Sequence, residues 1–203
     1  MAATKLSPNH LSARLVEAVD EARRLHDGQG RKGTAVPYLA HLLAVTALVL
    51  EDGGSEDEAI GALLHDAAED AGGEPRLEAL REQFGEPVAE IVAGCSDTFE
   101  EPKPPWAERK QGYVDHLVKP EVSESVLRVS LADKLHNARA LLLDYRTDGE
   151  RTFERFKTRS AADQLWYYCS LADIYRERLP GRMADELARV VAELEAAVGT
   201  PAT

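Results

Sequence analysis

The sequence GALLHDAAED, at residues 61–70, places one imidazole and three carboxylates close together in the chain. On a helical projection at about 100° per residue, the polar side chains share one arc, which carries His65, Asp66, Glu69 and Asp70. Apolar residues occupy the opposite arc. A polar arc opposite an apolar arc is also typical of a solvated helix surface. The stretch alone therefore allows two interpretations, a solvated face and a chemical site.

The composition favours one helical globular domain. The chain has 203 residues, of which 44% are hydrophobic and only 6% aromatic, and a chain of this length can bury a sizeable core. Abundant alanine and leucine favour helices. The formal net charge of −12 argues against nucleic acid and anionic membrane as partners. It still allows a small anionic ligand that is held by a few local cations.

The cysteines and the N-terminal segment predict a cytoplasmic location. Cys95 and Cys169 lie in unrelated contexts, so we expect two small buried residues rather than a disulfide or a metal-binding pair. The first ten residues, MAATKLSPNH, lack the apolar segment that a signal peptide contains. No apolar run approaches the roughly 18 residues that a membrane span needs. We therefore expect no membrane association.

Helical periodicity extends over nearly the whole chain and indicates an all-α bundle. Ser7-Pro8 is the predicted start of the first helix, and Ser55 with Glu58 forms a capping box before a helix expected to run to Asp70. The other predicted helices cover about 38–50, 75–84, 86–97, 106–119, 123–144, 150–157, 161–178 and 182–198. We expect a single domain over residues 1–203, with its core at 8–178 and a short disordered tail, GTPAT, after the last helix.

The turn near residue 53 predicts that two histidines meet in space. His41 lies on the helix before this turn and His65 on the helix after it, each about 12 residues away. Antiparallel helices of equal length bring their far ends level, so His41 should lie beside the His65-Asp66 pair. A lone histidine on an apolar stripe is more often a hydrogen-bonded core residue, and this alternative stays open.

An aspartate stands in an otherwise apolar helix face further along the chain. In SVLRVSLADKLHNARALLL, residues 125–143, the inward stripe is apolar except for Asp133 and Asn137. A buried carboxylate is costly unless it is paired or bound to a metal. We therefore expect Asp133 either to form a salt bridge or to bind a metal ion. Together with His41, His65 and Asp66 it offers two nitrogens and two oxygens, which suit one divalent transition metal.

Three stretches resemble the HD superfamily of metal-dependent phosphohydrolases, and most closely the hydrolase domain of RelA/SpoT homologues and their stand-alone small alarmone hydrolases. They are RKGTAVPYLAHLLAV at 31–45, AIGALLHDAAEDAGG at 59–73 and VSLADKLHNARALL at 129–142. The HDxxED form at 65–70 is more specific than an HD pair alone. The resemblance implies a single-domain HD-type bundle of about ten helices. It also implies Mn²⁺-dependent hydrolysis of the 3′-diphosphate of (p)ppGpp to GDP or GTP and pyrophosphate.

The resemblance also assigns a metal site and a catalytic pair. The residues that match the metal ligands of the family are His41, His65, Asp66 and Asp133. Glu69 and Asp70 match the acidic pair that positions or deprotonates the attacking water. One divalent ion is implied, with Mn²⁺ as the first choice and other transition metals as alternatives.

Further matches predict how the nucleotide substrate is bound. Arg31 and Lys32 match the basic pair that meets the nucleotide, and Asn137 matches the polar residue one turn after the metal-binding aspartate. Tyr168 resembles a tyrosine that lies near the ribose or the phosphates. Four more cations could contact phosphates or could simply be solvated surface charges: Arg109, Lys110, Lys134 and Arg139.

The chain departs from the family at two places near the expected substrate site. Ser130 stands where the family often has a lysine. The segment TFEEPKPPW, residues 98–106, is long and rich in proline. The length of the chain also leads us to expect that it has no synthetase domain and only degrades its substrate.

Two other functions remain open beside hydrolysis of (p)ppGpp. One is an HD phosphohydrolase that acts on another nucleotide, for example on a 2′- or 3′-phosphate such as that of NADPH. The other is a non-catalytic metal-bearing module that senses a ligand. The acidic pair Glu69-Asp70 counts against the sensor, which has no need of it. The sequence makes no prediction of the oligomeric state.

Overall fold

The structure is a computed structural model that describes residues 10–70, 72–100, 102–158 and 160–199. Within these ranges the helices are α1 (Ala13–Leu25), α2 (Tyr38–Glu51), α3 (Glu56–Leu64), α4 (Ala67–Asp70), α5 (Gly73–Phe84), α6 (Glu86–Cys95), α7 (Trp106–Leu117), α8 (Glu124–Asp148), α9 (Ala161–Arg178) and α10 (Arg182–Gly199). A 3₁₀ helix, Gly149–Arg155, follows α8, and an isolated bridge pairs Gly30 with Pro37. The predicted all-α class is confirmed.

Local capping explains where several helices begin. Ser12, Ser123 and Ser160 each accept a hydrogen bond from a backbone N–H in the first turn of α1, α8 and α9. Ser55 and Glu58 form the predicted capping box at the start of α3, with both reciprocal hydrogen bonds present. These caps satisfy donors that a helix start otherwise leaves without a partner.

Several helix ends differ from the predicted boundaries by one or two residues, and larger differences occur in four places. Helix α1 begins at Ala13, and Ser7-Pro8 lies outside the described residues. The helix expected to run to Asp70 is interrupted after Leu64, and the segment expected to be helical at 150–157 forms the 3₁₀ helix. Helix α8 continues to Asp148, where Gly149 adopts a positive φ of 60° that ends it. Residues 200–203 of the predicted tail lie outside the described residues.

The central position of α3 determines where the candidate site lies. Helix α3 packs against α1, α2, α6 and α8, and every residue from Glu58 to Leu64 is buried. A helix that is buried around its whole circumference belongs to the interior of a fold. The end of α3 therefore delivers the next two residues, His65 and Asp66, into the core. Within the described residues, none of the helices combines the length and the apolar character that crossing a lipid bilayer requires.

Close packing of α3 against α6 leads to a prediction about stability. A Cβ added at Gly61 would lie 2.6 Å from Cγ2 of Ile91, which is buried between the helices. We expect Gly61→Ala to lower the free energy of unfolding by about 1–3 kcal/mol, because the helices must move apart. Gly112 is a matched control, since a Cβ there meets no heavy atom within 4 Å. Gly112→Ala should stabilise the exposed helix α7 by about 0.5–1 kcal/mol. Urea unfolding compares the two variants, and a Gly61→Ala protein as stable as the wild type would contradict this packing.

Candidate metal centre and substrate cavity

Three parts of the chain bring two imidazoles and two carboxylates together. His41 comes from the first turn of α2, His65 and Asp66 from the break between α3 and α4, and Asp133 from the middle of α8. Nε2 of His41 lies 3.1 Å from Oδ1 of Asp133, and Nε2 of His65 lies 2.9 Å from Oδ2 of Asp66. The cross distances are 4.0 Å for His41 to Asp66 and 3.7 Å for His65 to Asp133. Ligand atoms of one ion bound at about 2.1 Å are separated by similar distances, roughly 3–4 Å.

Hydrogen bonds orient both imidazoles towards the centre of this cluster. Nδ1 of His65 lies 2.8 Å from the carbonyl oxygen of Ala62, and Nδ1 of His41 lies 2.8 Å from Nδ1 of His136. The Ala62 carbonyl can only accept, so His65 carries its proton on Nδ1 and leaves the lone pair of Nε2 free. Both Nε2 atoms are buried without a hydrogen-bond partner of good geometry. Buried, unpartnered ring nitrogens that face two carboxylates fit a divalent metal ion.

Neighbouring side chains hold the two carboxylates in place. Tyr38 donates a hydrogen bond from its hydroxyl to Asp66. Asp133 accepts from Nδ2 of Asn137 at 2.5 Å and pairs with Nζ of Lys134 at 2.6 Å. The salt bridge that the sequence left open for Asp133 is therefore present and comes from the adjacent residue. One carboxylate oxygen of Asp133, Oδ1, still faces the histidines.

The charges of these groups show that the cluster attracts positive charge. Burial alone would raise the pKa of Asp133, but Lys134 and the neighbouring imidazoles hold that pKa well below its ordinary value. Burial lowers the pKa of His41, which keeps its imidazole neutral. Burial would also lower the pKa of His65, yet Asp66 and Asp133 raise that pKa well above 6.5. A site that favours a proton on His65 in this way also favours a metal cation in its place.

The solvated interpretation of residues 61–70 is wrong for His65, which is only 1% exposed. Glu69 lies one turn further along the chain, at the wall of the adjoining cavity, with its side chain 20% exposed. Its carboxylate pairs with Nζ of Lys103 at 2.9 Å. Asp70 ends α4, and its side chain lies outside the described residues.

A cavity of about 520 Å³ opens beside the cluster, and its wall is rich in cations. The cations that line it are Arg31, Lys32, Arg109, Lys110, Lys134, Arg155 and Lys157. Glu69 and Asp144 are the acidic residues among its lining. In a chain with a formal charge of −12, this concentration of positive charge favours an anionic ligand.

The predicted substrate-binding residues all line this cavity, but their side chains lie in different parts of it. Nη2 of Arg31 donates to Oδ1 of Asn137 at 2.6 Å, which connects Arg31 through Asn137 to Asp133. Lys32 points elsewhere, and its Nζ lies 5.3 Å from the centre of the Phe156 ring. Tyr168 lines the cavity from α9 and is 8% exposed.

The other candidate cations divide into two groups. Arg109 and Lys110 line the cavity, and both pair with the buried carboxylate of Asp97. Lys134 also lines it. Arg139 agrees with the alternative of a surface charge, because it pairs with Glu186 of α10 at 3.3 Å and does not line the cavity.

Ser130 also departs from the expected position near the substrate. Its hydroxyl lies 2.5 Å from the hydroxyl of Tyr113 and 2.6 Å from that of Tyr175, in the core between helices. Ser130 is 1% exposed and does not line the cavity. The serine therefore completes a buried hydroxyl cluster rather than contacting a ligand.

Several residues at the site were missed in the sequence. Tyr38 precedes His41 by three residues and His136 follows Asp133 by three, so helical spacing around the ligands was an available signal. Lys103, Arg155 and Lys157 gave no such signal. Lys103 and Lys157 reach the site from loops and Arg155 from the end of the 3₁₀ helix, and tertiary contacts decide where these segments run.

The comparisons with known proteins agree with this geometry. Residues 18–159 match the family described as HD domain, and the chain belongs to this family. A Xenopus tropicalis protein named guanosine-3′,5′-bis(diphosphate) 3′-pyrophosphohydrolase MESH1 is 36% identical over 133 residues, which are 64% of this chain and 70% of that protein. A Streptomyces coelicolor GTP pyrophosphokinase is 33% identical over 191 residues, or 87% of this chain, but only 21% of that longer protein is covered.

Solved structures show the same fold. A crystal structure of a Listeria monocytogenes EGD-e protein superposes with a TM-score of 0.65 at 26% identity, covering 79% of this chain and 99% of that one. A second structure, described as a metazoan ortholog of SpoT that hydrolyzes ppGpp, gives a TM-score of 0.59 at 24% identity. It covers 85% of this chain and 99% of that one, and at this identity the likeness concerns the fold. The HD-type helical bundle predicted from the sequence is confirmed.

The cluster geometry predicts how metal binding responds to substitution. We expect Asp133→Asn to weaken Mn²⁺ binding by about 100-fold, because it removes a charged oxygen that faces both histidines. Asp144→Asn is the matched control, since it removes a carboxylate from the same helix but three turns away from the cluster, at the wall of the adjoining cavity. Titration with Mn²⁺, followed by metal analysis of the desalted proteins, measures the difference. Equal metal affinity in Asp133→Asn and the wild type would exclude Asp133 as a ligand.

Proposed function

We propose that the protein hydrolyses the 3′-diphosphate of guanosine 3′,5′-bis(diphosphate), or of its 5′-triphosphate analogue, and releases pyrophosphate together with GDP or GTP. The observation that carries the proposal is a cluster of two histidines and two aspartates that adjoins, through His41, a cavity lined by seven cations. Similarity to the Xenopus tropicalis pyrophosphohydrolase supports the same chemistry. Cations that surround a cavity of this size suit a ligand with several phosphates.

His41, His65, Asp66 and Asp133 would hold one divalent ion, and Mn²⁺ suits their mixed nitrogen and oxygen donors. When bound, the ion supplies a Lewis acid that polarises a phosphoryl oxygen and lowers the pKa of a coordinated water. The identity of the ion remains a proposal, and metal analysis of the purified protein tests it.

Glu69 is the proposed residue that orients and deprotonates the attacking water. It follows His65 by one turn, and its carboxylate reaches the cavity, where Lys103 fixes one of its oxygens at 2.9 Å. The water oxygen forms a bond to the phosphorus attached to the ribose 3′ oxygen, and the bond between that phosphorus and the 3′ oxygen breaks. Glu69 takes the proton of the water, and the 3′ oxygen leaves with a proton from solvent. Asp70 stays a predicted partner in this step.

Arg31 and Asn137 are proposed to position the nucleotide in the cavity, so that its 3′-phosphates lie at the metal cluster. The Arg31 guanidinium lies 5.8 Å from the centre of the Tyr38 ring and 2.6 Å from Asn137. A planar guanidinium held in this way can stack on a base or contact a phosphate. Tyr168, which lines the cavity from α9, is a proposed contact for the ribose or phosphates. A small nucleotide as partner and a cytoplasmic location are parts of the same proposal.

Product analysis tests the proposed reaction directly. We expect the protein loaded with Mn²⁺ to release pyrophosphate and GDP from guanosine 3′,5′-bis(diphosphate), at a rate that chelation of the metal abolishes. Chromatography of the nucleotide products with a pyrophosphate assay measures both products. Orthophosphate released from NADPH, without pyrophosphate from the guanosine substrate, would instead support the second phosphohydrolase function. A protein that binds the nucleotide and converts none of it would support the sensor.

The position of Glu69 predicts a separation between metal binding and turnover. We expect Glu69→Gln to lower kcat by about 100-fold or more, because the amide cannot accept the proton of the water. Its metal content should equal that of the wild type, since Glu69 is not one of the four clustered groups. Glu108→Gln, an exposed neutral substitution on α7, is the control and should change neither quantity. Full turnover by Glu69→Gln would remove Glu69 from the mechanism.

A further inference from the structure

The cavity extends along α8 from the metal cluster to a second group of cations. His41 and Asn137, which both contact Asp133, lie at one end, and Asp144, eleven residues after Asp133, lies at the other. Eleven residues are three helical turns, so the two carboxylates point to the same side of α8 about 16 Å apart. Asp144 pairs with Nη2 of Arg155 at 2.6 Å, which places Arg155 at the far end of the cavity.

Three cations meet at this far end, and a ring lies between two of them. Lys32 and Arg155 both lie against the Phe156 ring, with their charged groups 5.3 Å and 5.1 Å from its centre. Lys157, the next residue after this ring, also lines the cavity. The loop that carries Lys32 packs closely on Arg155, since a Cβ at Gly33 would lie 3.4 Å from Cδ of Arg155.

The loop around Lys32 is held by its own backbone, so its position does not depend on a ligand. The backbone N–H of Arg31 donates to the carbonyl of Val36 at 2.8 Å, and that of Thr34 donates to the carbonyl of Arg31 at 2.9 Å. Gly33 adopts a φ of 77°, which suits the tight turn. The turn separates two sequence neighbours, because Arg31 faces Asn137 near the metal cluster while Lys32 faces Phe156.

The two ends of the cavity differ in how their cations are neutralised. Near the metal cluster, three lysines are paired with carboxylates: Lys103 with Glu69, Lys110 with Asp97 and Lys134 with Asp133. At the far end, Asp144 neutralises Arg155, and in the described part of the chain no carboxylate pairs with Lys32 or Lys157. Partial burial lowers the pKa of Lys32, and repulsion from Lys157 and Arg155 lowers it further. An anion at this end would relieve that repulsion.

We propose that Lys32, Arg155 and Lys157 form a second anion-binding subsite, which takes the 5′-phosphates of a nucleotide whose 3′ side lies at the metal cluster. The proposal rests on the proposed function for its choice of ligand. A nucleoside with phosphates on both its 3′ and 5′ oxygens is elongated, as the cavity along α8 is. The subsite makes the chain selective for nucleotides that carry a 5′-diphosphate or 5′-triphosphate.

Kinetics with two substrates test the selectivity. The first is guanosine 3′,5′-bis(diphosphate), and the second is guanosine 3′-diphosphate with a free 5′ hydroxyl. We expect Lys157→Gln to raise KM for the first substrate by roughly 10-fold and to leave its kcat unchanged, because one charge-assisted phosphate contact is lost. KM for the second substrate should not change. Equal effects on both substrates, or none on either, would overturn the proposal.

A binding experiment keeps the subsite testable if the proposed reaction fails. The probe is guanosine 5′-diphosphate, added to metal-free protein and measured by calorimetry. Lys157→Gln and Arg155→Gln should each weaken its binding by roughly 10-fold. The control is Arg151→Gln, which removes an exposed cation from the same 3₁₀ helix, outside the cavity, and should have no effect.

The outcomes separate the two proposals. If neither substrate is turned over but GDP binding depends on Lys157 and Arg155, the proposed reaction is contradicted and the subsite is supported. Undetectable binding of GDP to the wild type overturns the subsite, as does binding that the two variants leave unchanged. Circular dichroism of Arg155→Gln identifies any loss of folding. The variant of Lys157 is the decisive one, because Lys157 is exposed and its substitution should not disturb the fold.

Discussion

The arrangement of this protein depends on one buried and one partly buried carboxylate, which both need positive charge. Asp66 and Asp133 approach the same pair of histidines in the interior of the bundle, where an uncompensated charge is costly. Lys134 supplies one positive charge to Asp133, while Tyr38 and Asn137 satisfy further oxygens. What remains is a demand for a cation between the imidazoles. The two carboxylates raise the pKa of His65, so they favour a proton on its imidazole. A divalent ion in the same place would carry two positive charges and would compensate both carboxylates.

The packing of α2, α3 and α8 brings the histidines and aspartates of the cluster together in the interior of the bundle. Helix α3 is enclosed on all sides, so the break that follows it places His65-Asp66 in the core rather than at the surface. Helix α8 carries Asp133 on the face that meets α2 and α3, and the same face continues as the floor of the cavity. The candidate metal cluster and the cavity are thus two consequences of one helix packing.

The positions of the charges within the cavity, as well as their total, indicate which ligand the cavity can bind. The chain is strongly acidic overall, yet the cavity gathers cations from the 31–37 loop, α7, α8 and the segment after it. Beside the cluster, Lys110, Lys134 and Arg109 are already paired with carboxylates, whereas Arg31 donates to the neutral amide of Asn137. The cations at the far end keep more of their positive electrostatic potential, because Asp144 neutralises only Arg155. An anionic ligand with charge at both of its ends is the chemistry that such a cavity recognises.

The sequence by itself determined the helical class, the capping box at Ser55 and the meeting of His41 with His65, because helical period, caps and the length of a hairpin are local properties. It also placed Asp133 and Asn137 on an inward stripe. Only the tertiary structure decided the break at His65-Asp66 and the separate directions of Arg31 and Lys32. It also placed Ser130 in the core, away from the cavity, and decided between the two alternatives for Arg139. These features depend on which residues, distant in the chain, pack against each other, and local periodicity does not encode that pairing. The roles of the four clustered groups and of Glu69 stay predictions from the sequence that the geometry supports.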